Sequence, residues 1–396
     1  MLKNKDMYLG LLITFVVSGL VFYSAFYFQV WQAVKSQAVS DLPAHVEFII
    51  RFSKEHSFPV YTLWYRLVYL VSGFSQAYNI IAIVSIALLS GLAAFKYFIS
   101  YCILKENNHD TKIAAFFAFA LIIVMPLASY YSCEMKSNDS ICITSFHVYL
   151  GNIAPNQWHN STLILAMPFN LFLFYFSVKN IHSVKLSTYF IIAALSVISI
   201  LCKPNYAMAF LPVLCTTILI LNRDKWLSAF AKCAIVALPS LVVLSYQWYY
   251  TFIHGNLLTP GAKTVIAPFF VWSRYSPHIP LSLLLSIAFP LTILLFFYKK
   301  LDLYLKLGWM SFLVSLSFAI VFAEQPNWGA GNYFWGAIAA NYVLFLFSLN
   351  LLLKQSSGLK SNVAYVIFGA HFLSGCFLLA VFFIGGFFMS RTSLMF

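Results

Sequence analysis

The chain has 396 residues, 62% hydrophobic and 9% charged, with a net charge of +13. A soluble domain carries roughly 25% charged and 45–50% apolar residues, so a single soluble globular domain, a disordered chain and a fibrous repeat are excluded. What remains is a polytopic membrane protein: an all-α bundle of transmembrane helices, read as one integral membrane domain over residues 1–396.

A helix in lipid satisfies its own backbone, so each long apolar run is predicted to be a span. About eleven are predicted, within a range of about ten to twelve. In chain order they are Tyr8–Val30, Tyr78–Tyr101, Ile113–Tyr131, Ser161–Ser177, Leu186–Cys202, Asn205–Leu221, Trp226–Tyr250, Leu281–Tyr298, Leu307–Phe322, Ala337–Leu353 and Val363–Met389. Val60–Phe74 is a twelfth apolar run, but Arg66 near its centre makes it interfacial or re-entrant. Lys96 and Lys232 sit near span ends and are expected to snorkel.

The basic residues fall in ones and twos between spans, a pattern of membrane orientation and not of a nucleic-acid groove. Short loops carrying Lys105, Lys112, Lys179, Lys185, Arg223 and Lys225 are assigned to the cytoplasm together with the N-terminus. The opposite face holds long loops at residues 31–77, 132–160, 251–280 and 323–336, rich in His, Trp, Asn and Pro. Loops of that length carry function more often than connection. The chemistry is therefore expected outside the cytoplasm, and no phosphate-binding glycine loop is present to argue otherwise.

Five stretches on that face could do chemistry. Ser40-Asp41-Leu42-Pro43 opens a predicted amphipathic helix on which Asp41, His45, Phe48 and Phe52 share a face, while Glu47, Arg51 and Lys54 form a charged side. Asp41 is either a general base with His45 one turn away, or merely an N-cap. The run Gly151 to Thr162 gathers Asn156, Trp158, His159 and Asn160 at a span entrance, where amides and a Trp face suit a sugar or a headgroup. Lys203-Pro204 breaks two spans and places a cation where an anion would be welcome. Lys263 and Arg274 are further phosphate candidates. Glu324 and Asn332 lie in a Trp- and Gly-rich run ending at Gly336. Cys133 and Cys142 share one loop, where an oxidising compartment would let them form a disulfide. No D-x-D pair or zinc-type cluster calls for a metal, so no cofactor is required by the sequence; a divalent metal is possible but not indicated.

The D-x-x-x-H-x-x-F stretch from Asp41 to Phe48, the G-x-x-x-P-N-x-W-H-N stretch from Gly151 to Asn160 and the Lys203-Pro204 break resemble bacterial members of the GT-C superfamily of membrane glycosyltransferases. The architecture is similar over nearly the whole chain; the motifs cover about thirty residues. The resemblance implies a bacterial inner-membrane protein that transfers a sugar from a polyprenyl-phosphate donor to a glycan or glycolipid acceptor outside the cytoplasm. It places the catalytic carboxylate on Asp41, with Glu47 as a less well-placed substitute. A lipid-linked glycan flippase and an O-antigen-type polymerase are the alternatives.

Overall fold

The computed structural model describes residues 5–31, 40–107, 110–127, 150–254 and 261–388. Cys133 and Cys142 lie outside the described residues. The helices are α1 Lys5–Phe26, α2 Leu42–Lys54, α3 Trp64–Val71, α4 Tyr78–Asn107, α5 Thr111–Ile123, α6 Ser161–Lys179, α7 Leu186–Cys202, α8 Asn205–Leu221, α9 Trp226–Trp248, α10 Phe270–Tyr275, α11 Ile279–Phe297, α12 Leu303–Val321, α13 Phe334–Leu353 and α14 Leu359–Phe388. Two short strands, β1 Lys263–Ile266 and β2 Phe322–Gln325, pair antiparallel with Thr264 opposite Glu324.

Eight helices are long and apolar enough to cross a membrane, and α5, α7 and α8 are shorter apolar helices. Leu12, Ile83, Phe190, Leu227, Val242, Leu295 and Val366 stay exposed on the outside. In water so broad an apolar surface would aggregate, whereas in a bilayer it is the lipid face. The chain is thus a multi-pass helical membrane protein.

The eleven predicted spans coincide with these eleven helices, and α7 and α8 keep the predicted limits. The third span is corrected: it ends at Ile123, not Tyr131. Pro126 has no N–H to give and pushes Met125 toward extended backbone. The exposed backbone groups are taken up by α14. Met125 N–H donates to the His371 carbonyl at 3.1 Å, the His371 ring bonds the Met125 carbonyl at 2.7 Å, and Ser374 donates to the Pro126 carbonyl at 2.5 Å. Irregular backbone inside a membrane protein is tolerated only with partners of this kind.

The segment Val60–Phe74 resolves into the eight-residue α3, about 12 Å long and too short to span. Arg66 on it is exposed. Lys96 does not snorkel: it is buried against Asn156. Lys232 is buried along its stem, and its ammonium reaches the Ser183 carbonyl in the connection between α6 and α7.

At the centre stands α13, buried from Phe334 to Leu352. Its Asn341 amide donates to the Ile153 carbonyl at 2.6 Å and to the Ser286 carbonyl at 3.2 Å. With Trp272, whose indole donates to the Gly151 carbonyl at 2.9 Å, it fixes the irregular, buried run 151–160 inside the bundle. That run delivers His159 and Asn160 to the end of the bundle where α6, α8 and α13 begin.

Candidate functional site

The amphipathic reading of α2 holds at the level of burial. Leu42, His45, Val46, Ile49 and Phe52 are buried, while Glu47, Arg51 and Lys54 are exposed. Pro43 in the first turn, whose N–H would have no partner there anyway, starts the helix. Asp41 occupies the N-cap position, yet its side chain makes no capping bond; the Leu42 N–H goes to Ser40 Oγ instead. The Asp41 carboxylate is thereby left for other partners. Asn160 Nδ2 donates to it at 3.3 Å, and His159 Nε2 stands 3.9 Å away. Its side chain is 51% exposed, so a solute can reach it.

Asn160 is the hub. As N-cap of α6 its Oδ1 accepts from the Leu163 N–H at 3.1 Å, from Thr162 Oγ1 at 2.8 Å and from Lys203 Nζ at 3.3 Å. Lys203 also donates to Thr162 Oγ1 at 2.6 Å, and its ammonium lies 4.9 Å from the centre of the Trp335 ring. The Trp335 indole donates to Asn332 Oδ1 at 3.2 Å, and Asn332 Nδ2 donates to Glu324 Oε2 at 2.8 Å. A continuous polar chain therefore runs Asp41, Asn160, Lys203, Trp335, Asn332, Glu324. Gly336 makes this possible: a Cβ there would meet the Asn205 carbonyl at 2.9 Å, and Asn205 in turn donates to the Asn332 carbonyl at 2.8 Å.

Burial sets the electrostatics. It lowers the Lys203 ammonium to about 7, against the upward pull of Asp41 and Glu324. It raises Glu324, which the Asn332 bond and Lys203 partly offset. It lowers His45 to about 4 despite Asp41, which favours the neutral ring; the ring bonds Ser161 Oγ at 2.8 Å and meets the Tyr65 ring at a steep angle, 5.5 Å between centres.

Lys203, Glu324 and Asn332 line a cavity of about 390 Å³, walled on its other side by Met208 of α8 and by Leu244 and Trp248 of α9. Met208 and Trp248 in that wall are themselves exposed. Asp41 is not part of its lining and is joined to Lys203 through Asn160.

The sequence-predicted residues divide accordingly. Asp41, His159, Asn160, Lys203, Glu324 and Asn332 come together, and His45 packs beneath them. Four do not join. Glu47 is on the exposed face of α2 beside Arg51. Asn156 and Trp158 turn inward, Asn156 to Lys96 and Trp158 against Phe22. Arg274 is exposed over the Phe270 ring, because the inward face of α10 is taken by Val271 and Trp272. Lys263 is likewise exposed, on β1. Of the three phosphate candidates only Lys203 lines this cavity. Thr162 and Trp335 were not singled out from sequence; a Lys over a Trp from another loop leaves no signal in local spacing. Among the described residues no three His, Cys, Asp or Glu side chains gather as a metal site.

Fold and cluster together define a multi-pass helical membrane protein with a half-open polar site at one end. No protein-family model matches the chain, and no curated protein or solved structure does either.

Proposed function

We propose that the protein is a glycosyltransferase of the GT-C type. It moves a monosaccharide from a polyprenyl-phosphate carrier to a cell-surface glycan, such as O-antigen or another lipopolysaccharide component, on the extracytoplasmic side of a bacterial inner membrane. The observation that carries this reading is the pairing of a cavity that holds Lys203 and has exposed apolar residues in its wall with a half-exposed carboxylate, Asp41, joined to Lys203 through Asn160.

The donor enters from the bilayer and sets its phosphate against Lys203. The acceptor comes from water to Asp41. Its hydroxyl oxygen bonds to the anomeric carbon, the bond from that carbon to the phosphate oxygen breaks, and the hydroxyl proton passes to Asp41. The charge gained by the departing polyprenyl phosphate is met by the ammonium and by Thr162. A single displacement of this kind inverts the anomeric centre.

Purified protein given a polyprenyl-phosphate sugar and glycan acceptors is expected to form product. Asp41→Asn and Lys203→Met are each expected to lower kcat by about 10²–10³. Full activity in Asp41→Asn would remove the mechanism.

A lipid-linked glycan carrier gains one observation, the buried Lys96 within α4, since carriers keep ionisable groups inside spans. Substrate counterflow without product would select it. The polymerase gains none: Arg51, Arg66 and Arg274 all stay outside the cavity.

A further inference from the structure

A second polar centre lies within the bundle, away from the site. Lys96 is 8% exposed. Its Nζ donates to Asn156 Oδ1 at 2.6 Å and lies 4.4 Å from the centre of the Tyr342 ring. Asn156 has no further N–H to offer, because its Nδ2 already donates to the Leu121 and Val124 carbonyls at the broken end of α5. The Tyr342 hydroxyl is engaged with Ser100. Among the described residues no carboxylate pairs with Lys96. A buried ammonium with no counter-charge is costly.

Beside it is a cavity of about 20 Å³ lined by Lys96, Asn156, Gln157 and Trp158, with Phe22 and Met167 among its apolar walls. Gln157 and Trp158 are 4% and 3% exposed. Neither amide atom of Gln157 makes a hydrogen bond, and neither does the Trp158 indole N–H. Buried polar groups left this way call for an occupant. The cavity holds one small species, since a water needs roughly 10–15 Å³ by this measure. Ammonium, amide N–H and indole N–H supply donors from three side chains, against a single spare acceptor on Gln157.

We propose that this cavity binds one monovalent, halide-sized anion as the counter-charge of Lys96. A site this small favours a monatomic ion over sulfate, phosphate or a carboxylate. The ion fastens the run 151–160 from within, and that same run carries His159 and Asn160 to the site. The anion is a structural ligand that fixes the hub residue Asn160, and this holds whatever reaction the site performs.

The test uses the full-length protein in detergent, exchanged into gluconate. Titrating chloride or bromide is expected to raise the melting temperature saturably, with no such rise for sulfate at matched ionic strength. Crystals grown in bromide are expected to show an anomalous peak beside Lys96 Nζ. Lys96→Met is expected to abolish the response. Gln157→Leu, which keeps the ammonium, is expected to weaken the half-saturating concentration by about tenfold or more, the loss of one hydrogen bond to a charged species. Equal melting in chloride, sulfate and gluconate, with no peak in the wild-type crystals, would overturn the proposal and leave a neutral amine beside a water. Should Lys96→Met fail to fold, the wild-type titration and the Gln157→Leu shift still decide. None of these readouts depends on transferase activity.

Discussion

At the scale of single residues, the decisive group is Lys203. Its ammonium is lowered to about 7 by burial, so it is half-charged near neutrality. An unfolded chain holds that proton until about 10.5. Between pH 7 and 10.5 the unfolded state therefore binds more protons, and stability contributed by this group rises with pH. Anion binding runs the other way, because only the charged form grips a phosphate. Affinity for a polyprenyl-phosphate donor is expected to fall as pH rises from 7 to 9, measured as KM at each pH. Lys203→Arg, charged throughout, is expected to flatten that profile. Its kcat should drop all the same, because a guanidinium fork does not reproduce the bonds to Thr162 and Asn160. A wild-type profile as flat as that of the Arg variant would detach Lys203 from the phosphate. Residue chemistry was also the most legible part of the site in sequence. Asp41, His159, Asn160 and Lys203 were visible because polar side chains at the edge of an apolar span are costly and need a reason. Asn156 and Trp158 misled because they lie in irregular backbone. With no 3.6 or 2.0 period, nothing local says which way each side chain turns, and these two serve Lys96 and the bundle interior.

At the scale of elements, apolar runs wrote the helices almost directly, as the limits of α7 and α8 show. The error at α5 is instructive. Its apolar run continues past Ile123, and hydropathy cannot see the Pro126 break or the α14 groups that accept its loose backbone. That repair depends on close approach. A Cβ on Gly375 would come within 1.8 Å of the Ile123 carbonyl oxygen, which is backbone and cannot step aside. Gly375→Ala is therefore expected to push α14 off the end of α5 and strip the Met125 and Pro126 carbonyls of their donors. The cost should be about 1–3 kcal/mol from overpacking, with the orphaned carbonyls adding to it. Thermal unfolding in detergent reads this out. Gly369→Ala on the same helix has open space around its Cβ and serves as the control, expected to be near neutral.

At the scale of the whole molecule, the proposed reaction requires a hydrophobic donor and a hydrophilic acceptor to meet without either crossing the other's medium. In the proposed scheme they take separate approaches. The cavity between α8, α9 and the β1–β2 ladder has the exposed Met208 and Trp248 in its wall, the proposed route for the lipid donor. The half-exposed Asp41 is the proposed route for the acceptor. Lys203 stands between, at the break where α7 gives way to α8, so one cation borders both approaches. This arrangement makes a prediction that depends on the length of the donor's lipid and not on its sugar. Leu244→Trp fills the lateral cavity without touching Lys203, Asn160 or Asp41. It is expected to lower kcat/KM for a long-chain polyprenyl donor by about tenfold, roughly 1.4 kcal/mol of lost access. A short-chain, water-soluble analogue places no long tail in that cavity and should lose much less. Parallel assays of the two donors on wild type and variant give the ratio. An equal loss for both would mean that the tail does not occupy the space between α8 and α9. The donor would then have to reach Lys203 by the water-facing route that Asp41 shares, and the separation of the two media would lose its structural basis.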